Sequence, residues 1–182
     1  WTHPFMSYIT PKYPILDPLP TIQQHDQLPS NAIELGRCID TTEAEDLYVL
    51  VKHQKHLIIL VAYRNIKTQK YFCKQYDFPL KTLSWFPKAL EEFRKPPAEG
   101  GLHAGAMISK DVDVDGEMLA VGSTTSGYFL INRSRNNHSY DNYKAEEHYM
   151  PIEISLSYEF LYRLGFLDLW KTLGDKYERG EI

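Results

Sequence analysis

KYFCKQYDFPLKTLSWFPKALEEF, residues 70–93, decides the fold. Its first half interleaves lysines with aromatic residues and reads as a strand. Its second half sets Leu83, Phe86, Leu90 and Phe93 at spacings of three and four, one face of a helix. Thr82 or Ser84 is placed to cap that helix, Pro87 falls in its first turn, and Pro96 and Pro97 stop it near Arg94. A strand that runs straight into a helix closes a structural unit.

Upstream lie AIELGRCI (32–39), DLYVLVKH (46–53) and HLIILVAYRN (56–65), with QKYFCKQYDFPL (69–80) as the fourth strand. HQKH (53–56) and NIKT (65–68) are short enough to be hairpin turns, so the four strands form an antiparallel meander. The plan then repeats in AGAMISKDVDV (104–114), EMLAVGST (117–124), YFLINRSR (128–135) and HYMPIEIS (148–155), with tight-turn signals at Asp115-Gly116 and Ser126-Gly127. A helix over 157–173 follows, with Phe160, Leu164, Leu167 and Trp170 inward and its end near Gly174. A shift of 77 residues superposes Leu83 on Phe160, Leu90 on Leu167 and Phe93 on Trp170. The expected class is α+β, two four-stranded antiparallel sheets each followed by a helix. Residues 1–30 hold six of the eleven prolines and read as an extended arm, 31–175 as one domain, and 176–182 as a tail.

The chain has 182 residues, 43% hydrophobic and 24% charged, enough to bury a core. Its longest apolar run, LIILVA (57–62), is strand-sized, so no membrane span is expected. Two cysteines, Cys38 and Cys73, are too few for a disulfide scaffold and read as reduced thiols of a non-secreted protein. A start at Trp1 reads as the product of upstream processing or trimming.

Net charge is −4, but it is unevenly spread. Residues 52–95 hold ten Lys/Arg against three acids, a balance of +7, while the rest of the chain stands at −11. That asymmetry predicts one positive face on an acidic body. The candidates are Lys52, Lys55, Arg64, Lys67, Lys70, Lys74 and Lys81, with a second cluster at Arg133 and Arg135. Strand alternation puts Lys70, Phe72 and Lys74 on one face at roughly 7 Å intervals, close to the phosphate spacing of an extended strand. Such an array neutralises phosphates and gives affinity with little sequence preference. The interleaved tyrosines permit base stacking but equally suit a core.

Other chemistry is weakly signalled. DVDVDGE (111–117) opens like a calcium loop but lacks the closing glutamate, and reads as a polar hairpin. His53 and His56 have no neighbouring ligands to complete a metal site and read as part of the basic surface. Neither a nucleophile elbow nor a phosphate loop is present, since GSTTSG (122–127) lacks the lysine. Neither an enzyme nor a bound cofactor is expected.

The β4α-β4α plan, with KYFCKQYDFPLKTLSWFPKALEEF closing one unit and HYMPIEISLSYEFLYRLGFLDLW (148–170) closing the other, resembles the Whirly fold over about residues 31–175. Within it the chain is similar to the kinetoplastid mitochondrial RNA-binding proteins, the guide-RNA annealing factors. The KGKAALTVRP signature of the plant members is absent, which favours the RNA branch. The resemblance implies a mitochondrial matrix protein in a heterotetramer with a more basic paralogous subunit. It also implies a basic sheet surface that holds RNA by its backbone and promotes pairing of guide RNA with pre-edited messenger RNA. Trp85, Phe86, Leu161 and Phe166 are expected to supply the subunit contacts. Two other readings share the sequence pattern: a single-strand binder of the purine-rich-element type, and an assembly subunit whose basic sheet docks an acidic protein.

Overall fold

The computed structural model describes residues 9–42, 44–95, 97–99, 107–139 and 145–182. Strands β1 (Ala32–Asp40), β2 (Asp46–His53), β3 (His56–Arg64) and β4 (Tyr71–Pro79) form one antiparallel sheet in sequence order. A second sheet has β5 (Val112–Val114), β6 (Glu117–Ser123), β7 (Gly127–Asn136) and β8 (Pro151–Ser157), also in order. Helix α1 (Thr82–Arg94) follows the first sheet, a short turn of helix α2 (Ala145–His148) precedes β8, and α3 (Phe166–Glu178) follows the second. The expected two-sheet α+β layout is therefore present. The described part of the segment expected as a strand over 104–114 is interrupted: Ile108 makes one bridge to Gly122 before β5 starts. Residues 104–106 of it lie outside the described residues.

Helices α1 and α3 pack against the inner faces of the two sheets. Tyr48, Leu50, Leu57, Ile59 and Phe78 from the first sheet share one core with Leu119, Val121, Leu130, Ile152 and Ile154 from the second, and with Leu83, Phe86, Leu90, Phe160, Phe166, Leu167 and Trp170. Aromatic rings run through it: Tyr48 lies 4.4 Å from Phe160, Phe160 4.4 Å from Phe166, and Trp170 4.7 Å from Phe86, measured between ring centres. The three side chains Phe86, Leu161 and Phe166, expected at a subunit contact, are fully buried within the chain and are corrected to core. Trp85 is partly buried against the same core.

The helix starts differ from expectation. Thr82 and Ser84 do not cap α1: its N-cap is Lys81, without a side-chain cap. Thr82 is buried, and the Ser84 hydroxyl donates back to the Lys81 carbonyl. Pro87 sits in the second turn rather than the first. The helix expected over 157–173 is two pieces. Ser157 ends β8, a π-helical turn covers Glu159–Arg163 with Leu164 N–H bonding to the Glu159 carbonyl, and Gly165 at φ 87° breaks the path before α3. Gly174 lies inside α3, not at its end, and α3 takes in part of the expected 176–182 tail.

The described part of the arm is docked. β2 and β3 are apolar on both faces, and a sheet so built must be covered twice. Residues 9–30 supply the second cover: Ile22 is buried among Val49, Val51, Ile58 and Leu60, with Leu19 and Leu28 beside it. Gln75 anchors this crossing, accepting from Ile22 N–H at 2.8 Å and donating to the Pro20 carbonyl at 3.0 Å. Further back the arm bonds to the second sheet, Leu16 N–H to the Ser134 carbonyl and the Tyr13 hydroxyl to Asp111.

Candidate nucleic-acid interface

The β3–β4 hairpin carries Arg64, Lys67, Lys70 and Lys74. Its tip is set by Asn65, whose side-chain oxygen accepts from Lys67 and Thr68 N–H, and by Gln69 at φ 59°. Tyr63 and Phe72 face each other across the ladder, and their rings stack with centres 5.3 Å apart and planes at 18°. Lys70 Nζ lies 5.4 Å from the Phe72 ring centre and Lys74 Nζ 5.7 Å from that of Tyr63. Two ammonium groups thus bracket one aromatic pair. On the ribbon's other face the Arg64 guanidinium lies 5.6 Å from the Tyr71 ring centre, and the Tyr71 hydroxyl is held by His25 N–H at 3.0 Å and by the His25 ring at 2.8 Å.

The expected alternation holds, but which face is open does not. Tyr71, Cys73 and Gln75 lie on the face the arm covers. Lys70, Phe72 and Lys74 lie on the helix side, beyond the helices' reach, in line with the partly buried Tyr76 and the buried Phe78. The outer sheet face is therefore no open basic surface, and the accessible cations of this hairpin, Arg64, Lys67, Lys70 and Lys74, sit at its margin. There a trough of about 360 Å³ separates Phe72, Lys74 and Tyr76 of edge strand β4 from Asn137, His138 and Ser139, which follow β7, and from Glu153 of β8.

Lys52, Lys55 and Lys81 are elsewhere. They gather at the β2–β3 turn and the start of α1, where Leu80 N–H bonds to the Lys55 carbonyl. The nine residues of β3 separate the two poles by roughly 26 Å. Among the described residues none of these seven cations is in an ion pair, whereas Arg37, Lys88, Lys95, Arg163 and Arg179 all are.

Arg133 and Arg135 do not join the surface. Arg133 binds Asp111 at 2.7 Å, and Arg135, buried, binds Glu117 at 2.6 Å and the Asp17 carbonyl, with its guanidinium lying beside the His56 ring. They belong to a polar seam where the sheets abut. Glu117 also accepts from His56 at 2.8 Å and Asn132 at 2.9 Å. Burial alone would raise its pKa, but His56, Arg135 and Asn132 together lower it to about 2. Alongside, buried Asp77 bonds to His138 and Gln75. The basic-surface reading of His53 and His56 is likewise corrected: His53 is buried and His56 is in the seam. Sequence spacing shows charge but not partners, so only the acids at 111 and 117 hinted at this pairing. Burial raises the pKa of both Cys38 and Cys73 thiols, which leaves neither primed as a nucleophile. Asp115 and Gly116, both at positive φ, form the tight turn that the DVDVDGE hairpin reading predicts.

Among the described residues no helix is long and apolar enough to cross a membrane. No family model, no curated protein and no solved structure matches the chain.

Proposed function

We propose that this chain binds single-stranded RNA without reading its sequence, and that it acts by binding and not as an enzyme. The reading is carried by the stacked Tyr63–Phe72 pair bracketed by Lys70 and Lys74, two cations with no described carboxylate partner. Lysines at this spacing release counterions from a phosphate backbone, and an aromatic pair at the same margin offers bases a stacking platform whatever their identity. Arg64 and Lys67 extend the cationic margin around the hairpin tip. Lys52, Lys55 and Lys81 form a second pole for a strand long enough to reach it.

The resemblance to guide-RNA annealing factors supplies the finer reading: a mitochondrial protein that pairs guide RNA with pre-edited messenger RNA, in a heterotetramer with a more basic paralogue. Neutralising phosphates on two strands lowers their repulsion, which is the physical requirement of a matchmaker. A subunit of net charge −4 suits a basic companion.

Replacing Lys70 and Lys74 by Glu tests the binding reading. Affinity for homopolymer RNAs of several compositions is expected to fall together, with a shallower salt dependence. Unchanged affinity removes the proposal. Binding that survives only with an acidic protein favours the assembly reading, and a strong preference for purine-rich oligonucleotides favours the purine-element reading.

A further inference from the structure

β1 is an edge strand of nine residues, and among the described residues no strand pairs with its outer side. It has neither lysine nor proline to block such an edge, and it leaves Ile33 62% and Ile39 50% exposed. It does carry a bulge: the register with β2 shifts between Glu34 and Gly36, leaving Leu35 as the extra residue. Glu34 and Arg37, three apart, would point to opposite faces of a regular strand. Here they share a face and form an ion pair of 2.6 Å, with Arg37 Nε donating to the same carboxylate at 3.0 Å.

The bulge also resets which backbone groups face outward. Direction alternates along an antiparallel ladder. Leu80 N–H bonds to the Lys55 carbonyl. Carrying that alternation through the strand registers leaves Gly36 and Cys38 bonded inward to Leu50 and Tyr48, and Ile33 to Lys52. Arg37 and Ile39 after the bulge, and Ala32 and Glu34 before it, therefore turn their N–H and C=O groups outward. In an unbulged strand residues 34 and 37 could not both do so.

We infer that β1 docks against β1 of a second copy, antiparallel about a two-fold axis between Leu35 and Gly36. This is the register in which both outward-facing pairs meet: Glu34 lies opposite the second copy's Arg37, and Ala32 opposite its Ile39. Glu34 and Arg37 exchange both backbone bonds with their opposites. Ala32 N–H is already bonded to the Pro29 carbonyl, so Ala32 offers only its carbonyl and ends the ladder. The interface is isologous, and each carboxylate meets a guanidinium both in its own chain and across the axis. Ile33 and Ile39 are covered on the two faces of the continuous sheet, beside Cys38 and Ala32 of the second copy. The partner is a second copy because this edge complements itself in charge, backbone direction and apolar cover at once.

The test is sedimentation of the full chain at micromolar concentration. The expected mass is twice 21.2 kDa. Glu34→Arg gives a chain with two arginines on the edge and Arg37→Glu one with two glutamates, so each alone sets like charges opposite one another and is expected to sediment as a monomer. Mixed in equal amounts, the two variants are expected to recover the doubled mass, although neither contains the internal ion pair. Ile39→Pro removes an outward N–H that the β1–β2 ladder does not use, so it is expected to keep the melting temperature and lose the dimer. A wild-type chain that stays monomeric overturns the inference. So does a dimer that persists in each charge variant alone, or one that the mixture fails to restore.

Discussion

Gly174 of α3 lies directly against the backbone carbonyl of Leu83 in α1, so close that a β-carbon on the glycine would fall 2.4 Å from that oxygen. Pro87, four residues after Leu83, lacks the N–H that would otherwise bond to this carbonyl. Beside it Trp170 donates its indole N–H to the Thr82 carbonyl at 3.1 Å. The two helices thus meet backbone to backbone at the one place where α1 has lost a helical bond. Gly174→Ala gains helix propensity of about 1 kcal/mol in isolation. In the protein it is expected to destabilise instead, by roughly 1–3 kcal/mol of overpacking, read as a lower urea midpoint. A stabilised variant would show that the helices can separate freely.

Arg135 and Lys74 should separate structure from binding. Truncating Arg135 to Ala takes the guanidinium from buried Glu117 and leaves it only His56 and Asn132, at a cost of about 3 kcal/mol, measured by denaturant unfolding. Lys74→Ala is expected to change stability by less than about 0.5 kcal/mol and to weaken RNA binding. If instead a folded Arg135 variant lost RNA affinity at temperatures well below its transition, the seam would be part of the interface.

Tyr63 and Phe72 should move a different observable from the lysines. Each lysine removed is expected to lower the slope of log affinity against log salt by about 0.7 for a single strand. Replacing Tyr63 or Phe72 by Ala should leave that slope alone and weaken binding by about 1–3 kcal/mol at fixed salt, seen in fluorescence anisotropy with short homopolymers. No loss for either aromatic would confine recognition to the phosphates.

Acid should reveal the seam. Glu117 titrates at about 2 in the fold against an ordinary 4.5, so its contribution is complete above pH 4.5 and is lost as pH falls towards 2. The interval corresponds to roughly 3 kcal/mol. Glu117→Gln is expected to be less stable at neutral pH, because Arg135 loses its counter-charge, but to show a flatter stability profile between those two values. A profile as steep as wild type would assign the acid sensitivity to another carboxylate.

Much of the architecture was legible because it rests on local signals. Gln54-Lys55 and Asp115-Gly116 are two-residue turns between strands, and α1 follows the spacing of Leu83, Phe86 and Leu90. What was not legible depends on distant partners. Arg133 and Arg135 look like a basic cluster until Asp111 and Glu117 are brought beside them by β5 and β6. Gly174 looks like a helix stop because nothing local shows that Leu83 will press against it. One long-range feature did leave a trace: LIILVA, apolar on both faces, already required a second covering layer, and the arm with Ile22 is that layer.

That layer also orders events in time. The arm leaves the ribosome before both sheets, yet Arg135, which holds the Asp17 carbonyl, and His138, which meets Thr21, are made 118 and 117 residues later. The nascent first sheet can fold against Leu19, Ile22 and Leu28 as soon as β4 emerges, whereas the crossing to the second sheet must wait for β7. Such long loop closures are slow to form. Refolding should accordingly proceed in two stages, an early one that buries Ile22 and a late one that ties Tyr13 to Asp111. A chain cut short before residue 111 would keep its first sheet covered while the front of its arm hung loose.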